Sequence, residues 1–123
     1  MIHLDASFLI DALLVGSPQE AQLAAWLSGG AVVNASAIAW GEFLCGPLSP
    51  AAEAIAKQLL PAAESLTAVD AERAAQLFNA TGRRSRSFAD CCIAAIALRI
   101  GASVATSNQA DFQPFVSYGL VLA

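Results

Sequence analysis

Short apolar runs alternate with helical stretches along the chain, and this alternation constrains the fold more than any other feature. Residues 1–4 form an apolar run that stops at Asp5 and reads as a buried strand. Ser7 then caps an apolar stretch, 8–15, with helical spacing. Pro18 opens a second helix to about Leu27, which Gly29 and Gly30 end. Residues 31–34 predict a second strand. Ser36 opens a helix that stops at Gly46-Pro47, and another runs from Ser49 or Pro50 to about Leu60. Residues 65–67 are a strand candidate. Asp70 caps a helix reaching Ala80 and stopped near Gly82, and 81–86 is a polar, basic loop. Ser87 caps an apolar helix over 88–100, closed by Gly101. Residues 102–105 predict a strand, 106–114 a polar connection with room for one helical turn, and 120–122 a last short strand.

This pattern predicts a single α/β domain over residues 1–123, with a short, mainly parallel sheet flanked by helices on both faces. The strands are apolar on both sides, as helix-covered strands are. Hydrophobic residues make up 57% of the chain and charged ones 13%, which excludes intrinsic disorder and leaves little charge to cover the outside. A contact between copies of the chain is therefore expected. Mean hydropathy is +0.60, yet the longest uncharged stretch, 21–41, contains Gln22, Asn34, Ser36 and a Gly-Gly break. No spanning helix is expected. With Asp5 early and no cation before the first apolar run, no signal peptide is expected either, which places the chain in the cytoplasm. The 3 cysteines, Cys45, Cys91 and Cys92, have neither disulfide nor zinc spacing and read as small buried residues. His3 is the single histidine, so a mechanism built on a histidine base is disfavoured. The net charge of −4 argues against nucleic-acid binding by bulk positive charge, so any phosphate contact must be local.

Ligands of parallel sheets bind beyond the carboxyl ends of the strands. Asp5 follows the first strand directly, and Asp111 lies in the loop after the 102–105 strand. Asp90 sits in the first turn of the helix after Ser87, and Glu42 lies inside the Ser36 helix among Ile38, Ala39, Cys45 and Gly46. Each has an ordinary explanation. Asp90 at three residues from Ser87 could complete a capping box, Asp5 and Asp111 could be turn formers, and Glu42 could point to solvent. By contrast Asp11 reads as an exposed helix position and Asp70 as a cap. Taken together, the four carboxylates would repel one another near the strand ends, and a divalent ion removes that cost. Oxygen ligands without His or Cys suit Mg²⁺ or Mn²⁺. The chemistry implied is hydrolysis of a phosphodiester, with water attacking in line.

These residues resemble those of PIN-domain ribonucleases, and most closely the small VapC-type toxins of bacterial toxin–antitoxin pairs. Leu4-Asp5-Ala6-Ser7 is similar to the family's first-strand motif, with Ala6 where Thr is familiar. Glu42 before Phe43-Leu44-Cys45-Gly46 is similar to its Glu-bearing helix. Asp90-Cys91-Cys92-Ile93-Ala94-Ala95 resembles its Asp-x-x-Ile-Ala-Ala helix, and Thr106-Ser107-Asn108-Gln109-Ala110-Asp111-Phe112 its Thr-x-Asn-x-x-Asp-Phe loop. The resemblance implies that Asp5, Glu42, Asp90 and Asp111 are the catalytic, metal-binding acids. Asp5 and Asp90 would act most directly, Asp111 and Glu42 through water. Ser7, Thr106 and Asn108 would orient carboxylates or waters. It also implies Mg²⁺ or Mn²⁺, endoribonuclease activity, a homodimer, and a partner antitoxin whose C-terminal segment wraps the toxin. Arg83, Arg84 and Arg86 are either a solvated loop cluster or contacts to RNA phosphates beside the acids.

A receiver domain needs an acidic pair after the first strand and a lysine after a late one; Asp5 stands alone and Lys57 is the single lysine. No P-loop or Gly-x-Gly-x-x-Gly is present, and Ser7 occupies the second position of a phosphatase Asp-x-Asp. The competing reading is a non-catalytic module of the same fold that holds RNA or a partner protein without cutting.

Overall fold

The computed structural model describes residues 1–60, 62–82 and 87–123, with Ser87 described through its backbone alone. Strand β1, Ile2–Leu4, is central in a three-stranded parallel sheet, between β2, Val33–Asn34, and β3, Ser103–Ala105. Ile2 and His3 pair with Val33 and Asn34 on one side; Ile2, His3 and Leu4 pair with Ser103, Val104 and Ala105 on the other. Successive strand residues face opposite sides of a sheet. His3 and Leu4 are both fully buried, so helices cover both faces of β1, as the apolar strand pattern predicts.

The connections are α1, Ala6–Ala12; α2, Pro18–Ser28; α3, Ala37–Cys45; α4, Pro50–Leu59; α5, Ala68–Ala80; α6, Ser87–Ile100; and α7, Gln109–Phe112, which runs on into a 3-10 turn at Gln113–Tyr118. Helix α5 packs along α6, and α1 packs against α2 and α3. Every residue from 91 to 97 in α6 is buried, which is how a helix apolar on all sides must sit. Alanines 39, 56, 74, 94 and 97 lie in the same core as Leu4, Phe43, Leu77, Phe112 and Phe115. Their thin side chains let the helices approach closely.

Several local expectations change. Asp5, not Ser7, caps α1: its carboxylate accepts from the Phe8 N–H, because the chain turns into helix immediately after β1. The helix stops at Ala12, since Ser17 Oγ donates to the Asp11 carbonyl at 2.6 Å and Gly16 takes a φ of 84° that needs no Cβ. Asp11 is half-buried rather than exposed. Thr67 caps α5, and Asp70 is the third residue of that helix, closing a capping box. Helix α6 already includes Ser87. The strand expected at 120–122 reduces to a single bridge, Val104 with Leu122, and that expected at 65–67 does not form: the bridge there, to Ser36, is made by Glu64 just before it. Ser65, Leu66 and Thr67 are exposed, so burial does not favour extending that ladder. Cys91 and Cys92 are buried as expected, but Cys45 is exposed. Arg83, Arg84 and Arg86 lie outside the described residues. Among the described residues, no helix is long and apolar enough to cross a membrane.

Candidate active site

The carboxyl end of β1 delivers Asp5 into a concave site. Its backbone N–H donates to the Ala105 carbonyl at 3.0 Å, which locks the end of β1 to the end of β3. The Asp5 side chain is only 6% exposed. Its Oδ1 accepts from Ser7 Oγ at 2.7 Å and from the Phe8 N–H at 2.8 Å. Its Oδ2 accepts from the Thr106 hydroxyl. The directions of these hydroxyl bonds follow from chemistry. Ser7 Oγ already accepts from the Ser107 N–H at 3.2 Å, and Thr106 Oγ1 from the Asn108 N–H at 3.0 Å. Each hydroxyl has one proton, and each directs it at Asp5.

Asp5, Glu42, Asp90 and Asp111 all line one cavity of about 340 Å³, together with Ala6, Ser7, Ile10, Ile93, Asn108 and Phe112. Glu42 comes from α3, Asp90 from the first turn of α6 and Asp111 from α7 rather than from irregular loop. Four segments separated by tens of residues therefore converge where the parallel strands end. Among the described lining residues there is no lysine, arginine or histidine. Thr106 stands behind Asp5 and is buried, and Asn108 is exposed at the rim.

The electrostatics carry the mark of this crowding. Burial pushes the Asp5 carboxyl above its ordinary range, three hydrogen bonds oppose that, and the charge of Asp111 adds to it. Burial also pushes Glu42 up, followed by the charge of Asp5. A hard divalent cation fits this chemistry, because the four carboxylates make a donor set that is all oxygen. The spacing is open, however. Among the described residues, no three acidic, imidazole or thiol groups stand close enough to share one ion.

His3 takes no part in this cavity. It is fully buried in β1, neither ring nitrogen has a hydrogen-bond partner among the described residues, and burial holds its pKa below the ordinary value. Sequence reasoning also missed the apolar walls, Ile10, Ile93 and Phe112. For Ile93 and Phe112 a signal existed, since both sit inside the motifs that carry Asp90 and Asp111.

The family model of the PIN domain matches residues 2–114, a span that takes in all four acids. The chain belongs to the PIN domain family. Solved PIN-type neighbours share the fold over the whole chain. VapBC2 from Rickettsia felis, bound to a DNA fragment from their promoter, superposes with a TM-score of 0.76 at 17% identity, covering 100% of this chain and 98% of that one. FitAcB from Neisseria gonorrhoeae gives 0.73 at 22% identity, covering 100% and 97%. VapC20 from Mycobacterium tuberculosis, a sarcin-ricin loop cleaving toxin, gives 0.72 at 20% identity, covering 100% and 98%. At these identities the likeness carries the fold. Comparison with curated protein sequences finds no match.

Proposed function

We propose that this PIN domain, a single unit over residues 1–123, is a metal-dependent endoribonuclease that hydrolyses RNA phosphodiester bonds and is the toxin of a toxin–antitoxin pair. The observation that carries the reading is the convergence of Asp5, Glu42, Asp90 and Asp111 on one cavity. Membership of the PIN family and the likeness to VapC20 and to the VapBC2 and FitAcB proteins support it. Asp5 and Asp90 would hold Mg²⁺ or Mn²⁺ most directly, with Glu42 and Asp111 acting through water. When bound, such an ion offsets the carboxylate repulsion, makes a water more acidic and steadies phosphate oxygens.

The chain's own residues divide the remaining work. Ser7 and Thr106 hold both Asp5 oxygens in one orientation. Asn108, exposed at the rim, would orient a carboxylate or a water. Ile10, Ile93 and Phe112 supply apolar walls that limit how much water reaches the acids. Arg83, Arg84 and Arg86 are proposed to contact RNA phosphates, giving an acidic protein local positive charge. A cytoplasmic homodimer restrained by an antitoxin protein completes the proposal.

One observation favours a second reading. The open spacing of the acids suits a non-catalytic module that binds RNA or a partner protein. Incubating the purified, partner-free protein with structured RNAs in Mg²⁺, Mn²⁺ or EDTA separates the two. Metal-dependent cutting is the expected result. A folded protein that binds RNA equally well in EDTA and cuts none would favour the binding module.

A further inference from the structure

We propose that Gln19 is a positioning residue for the acidic cavity, holding through Ser107 the turn that carries Thr106, Asn108 and Asp111. The inference rests on the nuclease reading for its catalytic readout alone. Gln19 stands on a fixed base. Ser17 caps α2 by accepting from the Glu20 N–H at 3.0 Å, and its hydroxyl ties that turn to the Asp11 carbonyl of α1 at 2.6 Å. Glu20 Oε1 accepts from the Gly16 N–H at 2.9 Å, closing the same corner. From this corner Gln19 Nε2 donates to Ser107 Oγ at 3.4 Å. Ser107 passes the constraint on, since its N–H donates to Ser7 Oγ at 3.2 Å and Ser7 donates to Asp5 Oδ1 at 2.7 Å.

The turn needs such a tie. Ala105 upstream and Phe112 downstream are buried anchors, but Asn108, Gln109, Ala110 and Asp111 between them are all exposed. A segment with so little burial opens at low cost unless polar contacts hold it. Thr106 is fixed by Asp5 and accepts from the Asn108 N–H at 3.0 Å, and the Asp111 N–H donates to the Asn108 carbonyl at 3.0 Å; Ser107, tied to Ser7 on one side and Gln19 on the other, adds the hold that sets the direction of this exposed run. Loss of the tie leaves the core intact, because Gln19 and Ser107 are only half-buried. It does let Asn108 and Asp111 drift relative to Asp5, and misplacement of about 1 Å can cost up to about 100-fold in rate.

Three variants test this. Gln19→Met removes the donor and keeps the stem, Ser107→Ala removes the acceptor, and Ser107→Thr keeps a hydroxyl. Amide hydrogen exchange at Ser107 and Asn108 and the calorimetric Kd for Mn²⁺ alone are read beside kcat and KM for RNA cleavage. The first two variants should raise the exchange rate and the Mn²⁺ Kd by about threefold to tenfold, the range for one lost neutral hydrogen bond. The variant combining both should lose no more than either, Ser107→Thr should behave as wild type, and kcat should fall with KM and melting temperature unchanged. Unchanged exchange, fully additive losses in the double variant, or a fall in melting temperature of the same size in all three would overturn the assignment. If the wild type cuts no RNA, the nuclease reading fails, and exchange and Mn²⁺ affinity still decide the role of Gln19.

Discussion

Replacing Thr106 by Val tests whether hydroxyl groups hold the buried Asp5. The two Asp5 oxygens are not equally supported. Oδ1 has two donors, Ser7 Oγ and the Phe8 N–H, whereas Oδ2 has the Thr106 hydroxyl. Thr106→Val therefore strips Oδ2 of its donor inside a side chain that is 6% exposed. A hydrogen bond to a charged group contributes about 1.5–3 kcal/mol. The Asn108 N–H also loses its acceptor, but Asn108 is exposed and water replaces it at a cost of about 0.5 kcal/mol or less. The valine methyl returns roughly 0.8 kcal/mol of apolar burial. The net loss should be about 1–2.5 kcal/mol at pH 7 in EDTA. Ser7→Ala, which leaves Oδ1 its backbone donor and frees a half-buried Ser107 N–H that water can reach, should cost less, about 0.5–1.5 kcal/mol. Urea unfolding gives both numbers from the midpoint shift at constant slope. A Thr106→Val loss no larger than that of Ser7→Ala, or one below about 0.5 kcal/mol, would refute the reasoning.

Further outcomes follow from the same geometry. Mn²⁺ should raise the melting temperature of the wild type, EDTA should reverse it, and Asp5→Asn should abolish the shift; one site at a hundredfold excess over Kd gives about 2.7 kcal/mol, read by differential scanning calorimetry. The stability curve should also have an acid limb from Asp70. Burial pushes that carboxyl up, but hydrogen bonds from Arg99 and Thr67 outweigh it and hold it below its ordinary value. A depressed folded-state pKa contributes stability present above the unfolded value, about 4, and lost as pH falls through the folded value. Arg99→Met should therefore narrow its gap to wild type below about pH 4 in acid titrations of unfolding, and a gap constant with pH would contradict this. Replacing Arg83, Arg84 and Arg86 by Ala should flatten the salt dependence of RNA affinity by about 2 in log–log slope, measured by filter binding, and an unchanged slope would remove them from the interface.

Much of this architecture is legible in the sequence, for identifiable reasons. The buried strand at Ile2–Leu4 and the all-round apolar helix α6 are written in continuous apolar runs, which only a doubly covered sheet and a central helix can satisfy. The four acids stand out because strand ends and an uncompensated Glu42 are unusual places for charge. What the sequence hides is partnership across distance. Asp70 reads as a helix cap because the capping box is local, while its pairing with Arg99 at 2.9 Å joins residues on different helices. Ser7 has the residue type of a cap, but Asp5 starts the helix two residues earlier by accepting from the Phe8 N–H, and the Ser7 hydroxyl donates to Asp5 instead. Cys45 looks like core by residue type, yet α3 turns that position outward. The tie from Gln19 to Ser107 spans 88 positions and has no local signature at all.

The central claim is that the acids on this cavity perform the cut. It is tested most directly by following cleavage of structured RNAs by wild type and Asp90→Asn side by side, in Mn²⁺ and in EDTA, with circular dichroism to verify that both are folded. The account predicts cutting by the wild type in Mn²⁺, none in EDTA, and none by folded Asp90→Asn in either. Cutting that survives both EDTA and Asp90→Asn would contradict it.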